Sequence, residues 1–109
     1  MFRIPTNFTF REKQAILAML WLAAGCDGRV GNREGFFFMR VARAFDMPYT
    51  EEKKAQSVFQ NRDWQSEMQL AYMNISPAHK AEARSIIKHM VEIDENPAKL
   101  QLYGYLHHN

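Results

Sequence analysis

The residues best suited to do chemistry lie in the segment GCDGRVGNREGFFF, residues 25–38. It places Asp27 seven residues before Glu34, and carboxylate oxygens are the ligands that Ca²⁺ and Mg²⁺ prefer. In an EF-hand alignment with Asp27 at the fifth loop position, Glu34 falls on the twelfth position, as required. The first and third positions are then Ala23 and Gly25, which have no side-chain oxygen. An EF-hand loop normally supplies more side-chain oxygen ligands than two carboxylates, so the segment does not fit an EF-hand.

A turn between two helices explains the same residues more simply. Asp27 can accept hydrogen bonds from the amides that follow it, and Gly28 readily adopts a left-handed conformation. Glu34 falls in the first turn of the next helix, where free amides and the helix dipole favour an acid. On the residues alone, the segment is interpreted as a turn between two helices.

The spacing of apolar residues predicts an all-α fold with about six helices. Thr9 and Glu12 form a capping box at the start of the first helix, whose second half is apolar on every side and therefore enclosed by other helices. The helices are expected at about 10–24, 32–45, 50–60, 63–73, 77–92 and from 97 onward. Thr50 is expected to cap the third helix. Asp46-Met-Pro48 is expected to end the second helix, because the residue before a Pro avoids the α region.

Asp27 and Asp94 each follow an apolar helix and precede a tight turn. This echo predicts a compact bundle built from two helical hairpins with approximate two-fold symmetry. At 109 residues, the chain is expected to form one domain, residues 1–109, in which residues 1–8 are an N-terminal arm.

The second helix also predicts a distinctive surface. Phe37, Phe38, Val41 and Phe45 fall within an arc of about 100° that faces the core, and Phe36 lies outside it. Around Phe36 lie Arg33, Arg40 and Arg43, with Arg29 just before the helix. An exposed Phe among arginines is a plausible anchor for a protein partner. The alternative is a solvated basic face on which the N-terminal arm covers Phe36 with Phe2 or Phe8.

Composition argues against several classes of function. A net charge of +2 is low for a nucleic-acid-binding domain, and the longest apolar run, 12 residues, is too short to cross a membrane. The single cysteine, Cys26, favours a reducing compartment, so a cytoplasmic protein is expected. His79 and His89 point to different sides of one helix and are interpreted as surface residues. No motif of an enzyme is present, and a non-catalytic protein is expected.

The sequence resembles the tellurite-resistance TerB-like family in three consecutive features. These are an apolar helix, the motif Asp-Gly-x-Val-x-x-x-Glu from Asp27 to Glu34, and the apolar residues that continue through Phe38, Val41 and Phe45. The resemblance covers residues 10–60 well and the C-terminal part weakly. It implies a helical module whose turn acids bind metal ions, here Asp27, Glu34 and Asp94. Glu95 and Gln101 replace a Gly and an acid of the family pattern, so weak binding of Ca²⁺ or Mg²⁺ is expected.

Two hypotheses follow. In the first, the chain is a non-catalytic TerB-like module that binds an unknown protein partner in a bacterial stress-response setting, as a monomer or homodimer. Metal binding at Asp27, Glu34 and Asp94 and partner binding at Phe36, Arg33, Arg40 and Arg43 belong to this hypothesis. In the second, the basic side of the second helix makes the chain a small DNA- or RNA-binding regulator.

Overall fold

A computed structural model describes residues 2–25, 31–57 and 64–94 of the chain. Within these ranges the regular structure is helical throughout, which confirms the all-α prediction. The helices are α1 (Phe10–Gly25), α2 (Asn32–Ala44), α3 (Tyr49–Ser57), α4 (Trp64–Met73) and α5 (Lys80–Asp94), and a 3₁₀ turn (Pro77–His79) leads into α5. The expected sixth helix lies outside the described residues, so the two-fold symmetry of two hairpins stays a prediction.

Helix α1 is the centre of the fold. Ten of its 16 residues are buried, and it contacts α2, α3, α4 and α5. Its buried side chains include Ile16, Leu17, Met19 and Leu20. The prediction that α1 is enclosed by other helices is therefore confirmed, because a helix that is apolar on every side is stable only when neighbours surround it.

The other helices bury one side each against α1. Helix α2 contributes Phe37, Phe38, Val41 and Ala42, while α4 contributes Met68 and Tyr72. From α5 the buried residues are Ala83, Ile86, Ile87, Met90 and Val91. The radius of gyration, 12.3 Å, is close to the value of about 13 Å that a compact chain of this length has.

A Schellman motif ends α2. The amide of Met47 donates to the carbonyl of Ala42 and the amide of Asp46 donates to the carbonyl of Arg43, each at 3.0 Å. Asp46 has a φ of 59°, which places it in the left-handed region. The predicted end of the helix before Asp46-Met-Pro48 is confirmed, and the left-handed conformation of Asp46 is the feature that the sequence did not predict.

Helix α3 begins one residue earlier than the sequence predicted. The carbonyl of Pro48 accepts the amide of Glu51 at 2.9 Å, so the first turn already includes Tyr49. The prediction that Thr50 caps this helix is therefore wrong, and Thr50 is an exposed residue of the first turn. Among the described helices, none is long and apolar enough to cross a membrane.

Candidate functional site

Glu34 holds the N-terminal end of α2 in place. Its side chain is only 2% exposed, and Oε1 accepts the amide of Gly31 at 3.0 Å. Gly31 has no side chain to cap the helix, so Glu34 supplies one half of a capping box. A Cβ at Gly31 would lie 3.2 Å from the same oxygen, so a larger residue here would require Glu34 to shift by a few tenths of an ångström. This geometry agrees with the interpretation of Glu34 as a first-turn acid.

Glu34 is the one predicted metal ligand whose side chain is described. Asp27 and the side chain of Asp94 lie outside the described part of the chain. Within the described part, no group of three or more His, Cys, Asp or Glu residues is arranged to hold a metal ion. The predicted site for Ca²⁺ or Mg²⁺ thus stays a prediction.

The exposed side of α2 brings together the residues predicted to bind a partner. We call it the α2 surface, and it consists of Arg33, Phe36, Met39, Arg40 and Arg43. Phe36 is 70% exposed, Met39 is also exposed, and all three arginines are exposed. Met39 was not predicted as a member of this surface, although helical spacing places it one turn after Phe36.

The N-terminal arm does not cover Phe36. Phe2 packs on His89 and Phe37, with ring centroids 4.3 and 6.1 Å away, and Phe8 packs on Phe45 at 5.7 Å. The alternative in which Phe2 or Phe8 shields Phe36 is therefore wrong. The arm instead covers the opposite, buried side of α2.

The arginines of the α2 surface leave their positive charge exposed. None of the ion pairs found among the described residues involves Arg33, Arg40 or Arg43. The acid of the same helix, Glu34, is buried on the other side. The α2 surface is thus a short, uniformly basic strip with an aromatic residue near its centre.

His89 lies beneath the edge of this surface. Its ring is stacked against Phe2 at 4.3 Å and lies 4.8 Å from that of Phe37. Burial lowers the pKa of His89, Glu92 raises it and the charge of Arg40 lowers it further. The neutral ring is therefore favoured in this aromatic contact, and the prediction of a surface histidine is wrong for His89.

A polar cluster joins the start of α1 to the turn before α5, and the sequence revealed only its capping box, Thr9 and Glu12. Glu12 is 3% exposed, and its carboxylate accepts the amides of Thr9 and Ser76, each at 2.8 Å. Nδ1 of His79 lies 2.9 and 3.1 Å from the two carboxylate oxygens. Because an ionised carboxylate can only accept, Nδ1 must carry the hydrogen. His79 is half-buried, which corrects its interpretation as a surface residue.

Burial alone would raise the pKa of Glu12, but the hydrogen bonds outweigh it. The backbone bonds from Thr9 and Ser76, together with side-chain bonds from His79 and Ser76, lower the pKa from 4.5 to about 2. Glu12 is therefore ionised at neutral pH and saturated with donors. That arrangement suits a structural link between two elements better than a general acid or base, whose pKa lies near the working pH.

A shallow groove separates α1 from α4. Two adjoining depressions of about 310 and 330 Å³ share Arg11 and Asn74. Ala15, Ala18 and Ala71 line the first, and their short side chains leave the space open. Both acidic and basic side chains line the groove, so its charge does not favour one kind of ligand.

Comparison of the chain with protein-family models, with curated proteins and with solved structures gives no match. The fold defines the class of protein as a small all-α globule. The resemblance to the TerB-like family rests on the motif residues and stays a prediction.

Proposed function

We propose that the chain is a non-catalytic helical binding module of the TerB-like kind, and that its α2 surface contacts a protein partner. The observation that carries this proposal is the exposure of Phe36 on a helix whose other side is firmly packed. Burying a Phe side chain is worth about 1.5–3 kcal/mol, which a partner gains when it covers Phe36.

The packing of α2 supports this role. Phe38 and Val41 are fully buried, and both ends of the helix are held by hydrogen bonds, at Gly31 and at the Schellman motif. The α2 surface is therefore presented by a rigid element. A rigid surface loses little conformational entropy when it binds, so more of the contact energy appears as affinity.

The turn acids form a second, weaker part of the proposal. Asp27, Glu34 and Asp94 would hold Ca²⁺ or Mg²⁺ at the ends of their helices, as the family resemblance implies. A melting-temperature titration with each cation tests this, using wild type, Asp27→Ala and Glu34→Gln. Binding predicts a rise of several degrees at excess cation that Asp27→Ala abolishes. An unchanged melting temperature with every cation would reduce the three acids to turn residues.

Nucleic-acid binding is the second candidate function, and it is favoured by the three exposed arginines, which form no ion pair with another described residue. Phosphate contacts by three arginines would give a modest dependence of affinity on salt, because the slope follows the number of phosphates neutralised. The apolar pair Phe36 and Met39 occupies part of the same surface, and this argues for a protein partner.

Photo-crosslinking tests the proposed function. A photoreactive phenylalanine analogue replaces Phe36 in the source cells, and the matched control carries it at Tyr49, another exposed aromatic residue with a cation, Lys53, near its ring. Any captured protein is then purified and titrated against wild type and Phe36→Ala. We expect one protein to crosslink at position 36 and not at 49, and Phe36→Ala to bind it at least about tenfold more weakly. Equal binding by both proteins would refute the proposal.

A further inference from the structure

We infer that the partner of the α2 surface is an acidic protein segment whose carboxylates flank one large apolar side chain. The inference rests on the proposed function and names the chemistry of the partner. It is drawn from the shape, the charge and the apolar centre of the α2 surface.

The shape of the surface sets the length of the segment. At about 100° per residue, its five residues fall within an arc of about 120° on the side of α2 opposite the core. From Arg33 to Arg43 the helix rises about 15 Å. Strand-like backbone covers this distance with about five residues, and a helix covers it with about ten.

The charge of the surface selects carboxylates. Arg33 lies near one end of the strip and Arg40 and Arg43 lie near the other, and Glu34 is directed into the protein. A planar guanidinium group binds a carboxylate through two parallel hydrogen bonds. A segment with acids near both ends therefore meets a cation at each, whereas a basic segment meets only like charges.

The centre of the surface selects an apolar side chain. Phe36 and Met39 are one helical turn apart, so their side chains are neighbours between the groups of arginines. Aromatic residues and Met are enriched at the centre of protein interfaces, where surrounding polar contacts exclude water. The flexible thioether of Met39 adapts to different partner side chains.

The same features disfavour a phosphate backbone as the ligand. A nucleic-acid strand presents its charges at regular intervals and its bases as stacking partners, so Phe36 would stack but Met39 would add little. A net charge of +2 is also low for a domain that binds along a nucleic-acid strand.

Fluorescence anisotropy tests the inference with labelled peptides of about 12 residues, long enough to span the α2 surface as a helix. The peptides carry Glu on both sides of a central Leu, Phe or Trp. Reference peptides replace every Glu with Gln or the central residue with Ser, and a labelled oligothymidine and a DNA duplex serve as nucleic-acid probes. The proteins are wild type, Phe36→Ser, Arg40→Gln and the control Lys53→Gln, which removes one exposed charge from α3.

We expect saturable binding of at least one acidic peptide with an apolar centre, weakened by added salt. Each of the two reference peptides should bind wild type at least about tenfold more weakly than the acidic peptide does. The protein variants Phe36→Ser and Arg40→Gln should each bind the acidic peptide at least about tenfold more weakly than wild type. Lys53→Gln should stay within about twofold of wild type, because charges outside an interface act mainly on the association rate. Circular dichroism of each variant establishes that it is folded.

Three results would overturn the inference: no saturable binding of any acidic peptide, equal binding of the Gln peptides, or tighter binding of the nucleic acids. If the proposed function is wrong, the result differs, because no protein is then captured by photo-crosslinking at position 36. A partner captured there whose binding segment is neutral or basic would refute the inference alone and leave the proposed function intact.

Discussion

Phe36 and Phe37 are adjacent in sequence but face opposite environments, because one residue of an α-helix is rotated by about 100° from the next. Phe36 is 70% exposed, whereas Phe37 is 3% exposed and packs on His89. We expect Phe36→Ala to change the free energy of unfolding by at most about 0.5 kcal/mol. Phe37→Ala should lower it by about 3–5 kcal/mol. Urea unfolding of both variants measures the difference, and a comparable loss in Phe36→Ala would mean that Phe36 is packed.

Tyr72 carries a buried hydroxyl group. Within the described part of the chain, its Oη has no hydrogen-bond partner, although Lys80 Nζ lies 4.7 Å from the centre of the ring. An unsatisfied buried hydroxyl costs about 1–3 kcal/mol. Tyr72→Phe should therefore leave the free energy of unfolding unchanged or raise it by up to about 1 kcal/mol. A loss of more than about 1 kcal/mol in urea unfolding would show that the hydroxyl has a partner.

Helical spacing predicts which of three consecutive phenylalanines is exposed. Phe37 and Phe38 share an arc with Val41 and Phe45, and Phe36 lies outside that arc, as the structure confirms. Whether another part of the chain covers a residue on the outer side of a helix depends on the tertiary structure. The sequence left open whether Phe2 or Phe8 shields Phe36. Only the path of the N-terminal arm in the structure excludes this shielding.

At the scale of the elements, the end of α2 depends on a strained residue. Asp46 adopts a φ of 59°, where a side chain costs roughly 1 kcal/mol and Gly costs almost nothing. We expect Asp46→Gly to raise the free energy of unfolding by about 0.5–1 kcal/mol. The midpoint of urea unfolding measures this.

The control for this prediction is Asp46→Ala. Ala has the Cβ that is unfavourable in the left-handed region, and it lacks the carboxylate of Asp, a residue that tolerates this region. The free energy of unfolding of Asp46→Ala should therefore fall or stay the same. A gain in Asp46→Ala equal to that in Asp46→Gly would show that the charge of Asp46, and not its backbone conformation, is unfavourable.

Glu12 connects α1 to the segment that leads into α5. Its pKa is about 2 in the folded chain against an ordinary 4.5, so the unfolded chain binds its proton more readily. The stability that Glu12 contributes is therefore complete above pH 4.5 or so and is lost as pH falls toward 2. Glu12→Gln should lower the free energy of unfolding at pH 7 by about 2 kcal/mol and flatten its decline below pH 5 or so.

The matched control is Glu82→Gln, an exposed acid in the first turn of α5. It removes the same charge at the same position in a helix but breaks no buried contact. Its stability at pH 7 should change by at most about 0.5 kcal/mol. If both variants lose the same stability, the helix dipole and not the buried cluster explains the role of Glu12.

The Glu12 cluster also shows where prediction from sequence ends. Thr9 and Glu12 are three residues apart, so their capping box is visible in the sequence, and the structure confirms it with bonds of 2.8 and 3.1 Å. Ser76 and His79 are 64 and 67 residues away from Glu12. No local spacing links them, and only the packing of α1 against α5 brings them to the same carboxylate.

At the scale of the whole molecule, α1 organises the fold and α2 presents the surface with the clearest chemistry. The central position of α1 follows from its apolar sequence, and the all-α class follows from the absence of strand-like alternation. The groove between α1 and α4 could not be predicted, because it results from short side chains on helices distant in sequence. Among the described residues, this groove is an alternative to the α2 surface as a binding site.

One measurement separates these two surfaces most directly. Uniformly ¹⁵N-labelled protein is titrated with the acidic peptide that binds best, and amide chemical shifts are followed by NMR. The account predicts that the largest shifts lie in residues 33–43 and that they are much smaller in Phe36→Ser at the same peptide concentration. Largest shifts at Arg11, Leu70 and Asn74, or a titration that leaves residues 33–43 unperturbed, would contradict it.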